Sequence, residues 1–249
     1  MDKIGIVIQG PTTYFAEILR NYVNYEYLVW STWDDEPEQN IVQLEKSGIN
    51  LVLNKKPVIA GYWNCNLQCI STLRGIEYLR NKFNVNKFIK VRSDFIVNPV
   101  QELITQIENS LNYNRICSIG YMIGYPFTFK SDFFMIDFIL AGYYEDMVLL
   151  FSPKSELEIG LPFPEKWLEV NYFKEKRYIK KNINKLIKNY FFISSKKINY
   201  LNLKKNIDYK EYYDNNNILV LKPRIKERVL YFLWILPKYI VKKIIKYEK

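Results

Sequence analysis

Short blocks of apolar and polar residues alternate along roughly the first 120 residues of the chain. Apolar runs of four or five residues indicate buried strands, whereas apolar residues spaced three and four apart indicate helices. The sequence therefore predicts strands at 4–8, 27–31, 50–53, 87–91 and 115–119. It predicts helices at 15–22, 41–47, 64–81 and 100–111. This alternation is typical of an α/β fold, with a mostly parallel sheet between helices on both faces.

The pattern changes beyond about residue 150. A Pro-rich break at 161–164 precedes a predicted helix at 165–173, and the chain then becomes rich in Lys, Asn, Ile and Tyr. One apolar run, 218–221, predicts a further strand. We therefore expect an α/β domain at 1–173 and a basic, mainly helical extension at 174–249.

The charge is divided unevenly between these two parts. The chain has 36 Lys and Arg against 26 Asp and Glu, a net charge of +10. Residues 171–249 hold 21 basic and 6 acidic residues, net +15, whereas residues 1–170 hold 15 and 20, net −5. A basic tail on an acidic body is expected to meet a phosphate-rich surface.

Residues 229–246 suggest which surface that is. Apolar residues including Trp234 alternate with lysines there, as in a helix that lies in an anionic lipid interface. An ordinary helix packed on the domain is the alternative. No nucleic-acid recognition motif accompanies the charge, so we expect no nucleic-acid partner.

Two further patterns bear on location. No apolar run is long enough for a membrane span, and MDKIGIVIQG places a charge pair and a strand where the apolar part of a secretion signal would stand. The three cysteines, Cys65, Cys69 and Cys117, offer no disulfide framework or zinc motif. We expect a cytoplasmic protein that is peripheral on the inner face of the membrane.

The composition also excludes several kinds of catalytic site and metal site. The chain has no histidine, which excludes catalytic triads, Cys-His pairs and His-ligated metals. A metal site would have to be rich in oxygen ligands and would suit Mg²⁺ or Mn²⁺. Neither GxGxxG nor GxxxxGK[ST] occurs, which argues against a dinucleotide-dependent dehydrogenase and a P-loop NTPase.

Ligands of such sheets bind outside the carboxyl ends of the strands, so polar residues after predicted strands are candidates. They are Gln9-Gly10-Pro11, the stretch 31–35, the stretch 54–56 and Arg92-Ser93-Asp94. Asp94 could place a carboxylate on a cation, and Arg92 could neutralise phosphate or hold that carboxylate. Alternatively, Arg92 and Asp94 only fix the strand end.

Acids further along the chain are candidates for proton transfer. Asp132 and Asp137 stand among aromatic residues, where a carboxyl group has a raised pKa unless it is paired or metal-bound. Asp146 and Glu165 follow. The structural alternatives are that Asp132 caps a helix, that Asp146 is a surface acid and that Glu165 favours a helix dipole.

Several of these segments together resemble the WavE-type lipopolysaccharide-synthesis proteins, a family of bacterial glycosyltransferases. They are IVIQGP, STW at 31–33, NCNLQCISTLRGI, KVRSD and SDFF at 131–134, within residues 4–170. The resemblance implies a GT-A-like fold with a nucleotide-sugar site at the strand ends and a divalent metal on an Asp-X-Asp-type motif. Here that motif is Arg92-Ser93-Asp94, with one acid rather than two.

The resemblance also implies roles. Gln9, Gly10, Pro11, Trp33 and Ser93 would bind the donor with Arg92, and Asp94 would hold Mg²⁺ or Mn²⁺. Asp132 would deprotonate the acceptor hydroxyl, with Asp146 and Glu165 as reserves. Lys222 and Arg224 lie outside the resemblance, but they follow the strand predicted at 218–221 and could neutralise the leaving diphosphate.

The implied function is sugar transfer from an activated donor to a glycan or lipid-linked acceptor of lipopolysaccharide or capsule, beside an anionic membrane surface. One alternative is a phosphoribosyl-type transferase that uses a phosphorylated sugar on the same fold. The other is a catalytically degenerate, membrane-associated binding module in envelope assembly.

Overall fold

A computed structural model of the chain describes residues 3–22, 24–61, 64–111, 116–123, 133–152, 199–202, 209–213 and 219–223. The described strands are β1 (Ile4–Gln9), β2 (Leu28–Trp33), β3 (Asn50–Asn54), β4 (Lys87–Arg92), β5 (Phe95–Asn98), β6 (Ile116–Ser118), β7 (Gly120–Ile123), β8 (Phe133–Met135), β9 (Ile139–Tyr143), β10 (Asn199–Asn202), β11 (Tyr209–Tyr213) and β12 (Leu219–Pro223). The described α-helices are α1 (Phe15–Tyr22), α2 (Glu38–Lys46), α3 (Cys65–Phe83), α4 (Val100–Leu111) and α5 (Tyr144–Phe151).

The main sheet has six strands in the order β3-β2-β1-β4-β9-β6. The first four run parallel, as the alternating pattern predicts. The fifth, β9, comes late in the chain and lies antiparallel between β4 and β6. The fold is therefore a mixed α/β fold, and the α/β class predicted from the sequence is confirmed.

Helices cover both faces of this sheet because its strands alternate between two apolar clusters. Ile4, Ile6 and Ile8 of β1 belong to a cluster that also takes residues from α1, α2 and α4. Val7 points to the other cluster, with residues of α3 and α5. Burial of β1 on both faces explains its continuous apolar sequence.

Helix α3 packs unusually close to the sheet at Gly75. A Cβ atom at this position would lie 2.5 Å from Cγ1 of Val7 and 3.2 Å from Cβ of Ser31. Both neighbours are short side chains that belong to β1 and β2. The absence of a side chain at residue 75 therefore sets the distance between α3 and the centre of the sheet.

The described parts of the predicted extension are strands rather than helices. β10 pairs with β5, and β12 pairs with β7 and β11. The strand predicted at 218–221 is thus confirmed as β12, while the tail at 229–246 lies outside the described residues. Residues 133–135 form the strand β8. One alternative for Asp132 was that it caps a helix, and the residues that follow it are not helical.

None of the helices that the structure describes has the length and apolar character needed to cross a membrane.

We predict that Gly75→Ala destabilises the protein. Alanine gains about 1 kcal/mol of helix propensity over glycine, but overpacking a core contact costs about 1–3 kcal/mol, so we expect a net loss near 1 kcal/mol. Urea unfolding measures the difference. Asn81→Ala, an exposed position of the same helix, is the control and should leave stability unchanged or slightly raised. Equal or higher stability of Gly75→Ala would contradict the close packing.

Candidate functional site

The carboxyl ends of three parallel strands form the candidate site. Gln9 of β1 is in register with Ser31 of β2 on one side and with Arg92 of β4 on the other. The backbone N–H of Ser93 donates to the carbonyl oxygen of Gln9 at 2.8 Å, and that of Gly10 donates to Ser31 at 3.3 Å. The strand-end residues selected from the sequence are thus brought to one edge of the sheet.

Gly10 makes the closest approach at this edge. Its φ of +127° is a backbone conformation that favours glycine. A Cβ atom there would lie 2.5 Å from Oγ of Ser93. The turn after β1 and the turn after β4 therefore touch at Gly10 and Ser93, and a side chain at residue 10 would separate them.

Arg92 and Asp94 form a two-pronged ion pair. Nε of Arg92 donates to Oδ1 of Asp94 at 2.9 Å, and Nη2 donates to Oδ2 at 2.6 Å. Asp94 is 6% exposed, whereas the Arg92 side chain is 26% exposed. Both carboxylate oxygens of Asp94 thus bind a guanidinium that still reaches the surface.

A second, deeper ion pair lies behind the first. Lys90 of β4 is fully buried, and its ammonium group donates to the backbone oxygen of Asp137 and lies 3.7 Å from Oδ2 of that residue. The Gln68 side chain of α3 donates to the same Oδ2 at 2.7 Å. Nη1 of Arg92 lies 3.5 Å from the other oxygen, Oδ1. Asp137 therefore links the two basic side chains of β4.

The charges around Asp137 keep it ionised. Its burial alone would raise the pKa, because desolvation disfavours the charged form. The positive charges of Lys90 and Arg92, together with the hydrogen bond from Gln68, outweigh burial and hold the pKa of Asp137 below its usual value. The acid in an apolar setting noted in the sequence is thus paired rather than protonated.

The turn after Gly10 is tied to the loop after β2. The backbone N–H and the hydroxyl of Thr12 both donate to Oε2 of Glu36, at 2.8 and 2.6 Å. The Asn40 side chain donates to the Thr12 hydroxyl at 2.9 Å. These contacts fix the first residues after β1 at the same edge as Arg92.

The predicted donor-binding residues at the carboxyl ends of β1, β2 and β4 differ in their exposure to solvent. Pro11 is exposed and Gln9 is half-buried, whereas Ser93 is 2% exposed. Trp33 is 4% exposed, which leaves little of its ring open to a ligand. Of these residues only Arg92 offers both charge and partial exposure.

Asp146 does not join the site. It lies in the first turn of α5 and is fully buried. Because β9 runs antiparallel to β4, with Tyr143 opposite Lys87, α5 begins at the edge where β4 starts. A six-residue strand spans about 17–20 Å, and this length separates Asp146 from the edge that carries Arg92. Its proposed proton-transfer role finds no support here.

Asp132, Glu165 and Arg224 lie outside the described residues. Lys222 belongs to β12, opposite Lys210 of β11. The roles of Asp132 and Glu165 remain predictions from the resemblance, and those of Lys222 and Arg224 remain predictions from their place at a late strand.

The described residues do not fit a divalent metal ion. Hard cations require several oxygen ligands, but Asp94 already accepts two hydrogen bonds from Arg92, and Lys90 and Arg92 add positive charge beside Asp137. Within the ranges that the structure describes, no three acidic or cysteine side chains group together as a metal site. The geometry thus disagrees with the expectation that Asp94 holds Mg²⁺ or Mn²⁺.

Sequence reasoning missed two residues of this site, Gln68 and Lys90, and it did not identify Asp137 as the partner of Lys90 and Arg92. One pattern could have indicated Lys90. It stands between Ile89 and Val91 in a strand buried on both faces, where a cation requires a buried anion. Nothing in the sequence pattern identifies Asp137, which is 47 residues away, as that anion.

Comparisons with known proteins found similarity only to solved structures. No family model matches the chain, and no curated protein matches it. The 4-diphosphocytidyl-2C-methyl-D-erythritol synthase of Anaerococcus prevotii is similar at 12% identity and a TM-score of 0.45, over 75% of this chain and 96% of that one. A cytidylyltransferase of Leptospira borgpetersenii shows 13% identity and a TM-score of 0.42, over 71% and 73%. A CMP:2-keto-3-deoxy-manno-octonic acid synthetase complexed with CTP shows 9% identity and a TM-score of 0.42, over 71% and 87%.

The paired charges predict a loss of stability in acid. Because the pKa of Asp137 is lower in the folded chain, its contribution is complete above an unfolded-state pKa of about 3.9 and disappears as pH falls through the folded-state pKa. We expect urea unfolding to show a steeper loss of stability as pH falls below about 5 in the parent than in Lys90→Met/Asp137→Asn, which lacks the group. Parallel pH profiles of the two proteins would contradict the lowered pKa.

Proposed function

We propose that this protein is a glycosyltransferase that moves a sugar from an activated donor to a growing lipopolysaccharide or capsular polysaccharide. The observation that carries the proposal is Arg92, a partly exposed arginine held by Asp94 and Asp137 at the carboxyl edge of the parallel strands. Open α/β sheets bind ligands at this edge. The resemblance of the strand-end segments to surface-polysaccharide transferases supports the same assignment.

Arg92 suits the phosphate groups of such a donor. A guanidinium is planar, stays charged and binds phosphate oxygens through its N–H groups, and the Arg92 side chain is 26% exposed. In this proposal the exposed turn at Gln9 and Pro11 lies beside the nucleotide, and Arg92 offsets the charge that grows on the leaving diphosphate.

Proton transfer requires a carboxylate, because the chain has no histidine. We assign the base to Asp132 and keep Glu165 as the reserve, on the resemblance alone. Lys222 and Arg224 are assigned to the leaving diphosphate because they are cations that follow the strand predicted at 218–221. A phosphorylated sugar would need the same cationic groups, so a phosphoribosyl-type donor is a variant of this proposal.

A second candidate is a catalytically degenerate binding module. The observation that favours it is the closed pair of Arg92 and Asp94, which occupies both oxygens of the motif's one acid. Such a module would bind a partner in envelope assembly without turnover. A panel of nucleotide-sugar and phosphosugar donors, with products identified by mass, distinguishes an enzyme from a module and one donor class from the other.

We predict that Asp94→Asn lowers sugar transfer about 10- to 100-fold. The substitution removes a charge-assisted two-pronged contact, each such hydrogen bond being worth about 1.5–3 kcal/mol, and releases Arg92 from its fixed orientation. Initial rates are measured with the donor that the panel identifies. Glu77→Gln, an exposed acid on α3, is the matched control and should retain the parental rate. Parental activity in Asp94→Asn would show that the assigned site is wrong.

We also propose that the basic tail places the enzyme on the inner membrane surface beside a lipid-linked acceptor. Residues 171–249 carry the net charge of +15 that such attachment needs. Each Lys or Arg near anionic lipid contributes about 1 kcal/mol, and added salt weakens this attraction.

The full chain should therefore sediment with phosphatidylserine-containing vesicles at low salt and less so at high salt. Vesicles of neutral lipid alone are the control and should leave the protein in the supernatant. Equal sedimentation with both kinds of vesicle would rule out charge-driven attachment.

A further inference from the structure

The Arg92 side chain is fixed from three directions. Asp94 accepts its two-pronged hydrogen bonds, Asp137 faces Nη1 at 3.5 Å, and the guanidinium lies 4.9 Å from the centre of the Phe138 ring. Asp94 is only two residues away along the chain, so that pair orients Arg92 relative to its own turn. Asp137 and Phe138 belong to the turn before β9, so their contacts orient Arg92 relative to the sheet.

Asp137 is itself held in place by groups from two other elements. Gln68 of α3 and Lys90 of β4 contact Oδ2 or the backbone oxygen. Its other oxygen, Oδ1, is buried, and within the described part of the chain it accepts no hydrogen bond. Nη1 of Arg92 faces this oxygen at 3.5 Å. Asp137 thus presents a fixed negative oxygen to the arginine.

Stability alone does not account for this arrangement. Replacing a buried ion pair by well-packed apolar residues is often neutral or stabilising. Two buried charges are nevertheless kept at the edge where ligands of this sheet type bind. Their placement next to the partly exposed arginine indicates a task at that edge.

We propose that Asp137 is a positioning residue that, held by Lys90 and Gln68, orients Arg92 toward the diphosphate of the donor. This inference rests on the proposed function, because it takes a diphosphate as the ligand of Arg92. Asp137 itself does not touch the donor. Its effect on donor binding passes through the direction in which the guanidinium points.

The test measures binding of inorganic pyrophosphate to the full chain by titration calorimetry. Asp137→Asn alone would remove the carboxylate that faces the buried Lys90 and would remove a charge that repels the anion. Lys90→Met/Asp137→Asn avoids both effects, because it removes one positive and one negative charge together. Arg74→Met/Glu77→Gln, which removes an exposed ion pair of α3, is the charge-matched control.

A second background shows whether the effect passes through Arg92. Arg92→Lys keeps the positive charge but lacks the planar fork. We expect Lys90→Met/Asp137→Asn to weaken pyrophosphate binding about tenfold in the parent and to change it less than about twofold in the Arg92→Lys background. Thermal unfolding of each variant confirms that it is folded, and the α3 control should bind like the parent.

Other outcomes overturn the inference in distinguishable ways. Parental affinity in folded Lys90→Met/Asp137→Asn, or an equal loss in both backgrounds, would show that Asp137 has a structural role only, and the proposed function would stand. If the parent protein does not bind pyrophosphate at all, the proposed function fails, and the inference fails with it.

Discussion

The buried pair of Lys90 and Asp137 is the interaction on which the architecture of this edge depends. Lys90 is fully buried in the central strand β4, and Asp137 precedes the antiparallel strand β9. Leaving one charge of a buried pair without its partner costs about 3–5 kcal/mol, so each residue requires the other. The pair lies where β9 begins beside β4, and the backbone N–H of Arg92 donates to the carbonyl oxygen of Phe138 at 3.0 Å there.

Close contacts also restrict the conformation of the turns at the rest of this edge. Gly10 touches Ser93 because it has no side chain, and Glu36 holds the residue that follows the first turn. Backbone groups and buried side chains thus build the frame. The guanidinium of Arg92 is the part of the Arg92–Asp94–Asp137 cluster that reaches solvent. A ligand at this edge would therefore meet the cluster through Arg92.

The sequence predicted the parallel part of the sheet and the residues at its edge because both depend on local patterns. Apolar runs indicate strands, and polar residues after them indicate the carboxyl ends. Partners distant in the chain leave no such pattern, so neither the insertion of β9 nor the Lys90–Asp137 pair could be predicted. The position of Asp146 depends on such a partner too, because the direction of β9 places the start of α5 at the edge where β4 begins.

The role of the arginine in Arg92-Ser93-Asp94 depends on charged side chains outside this motif. Lys90 and Arg92 carry two positive charges, and Asp94 and Asp137 carry two negative ones, so the four side chains balance. An acid in place of Arg92 would leave three carboxylates against one ammonium, an arrangement that demands an external cation. With Arg92 at this position, the positive charges that face Asp94 and Asp137 come from β4 itself.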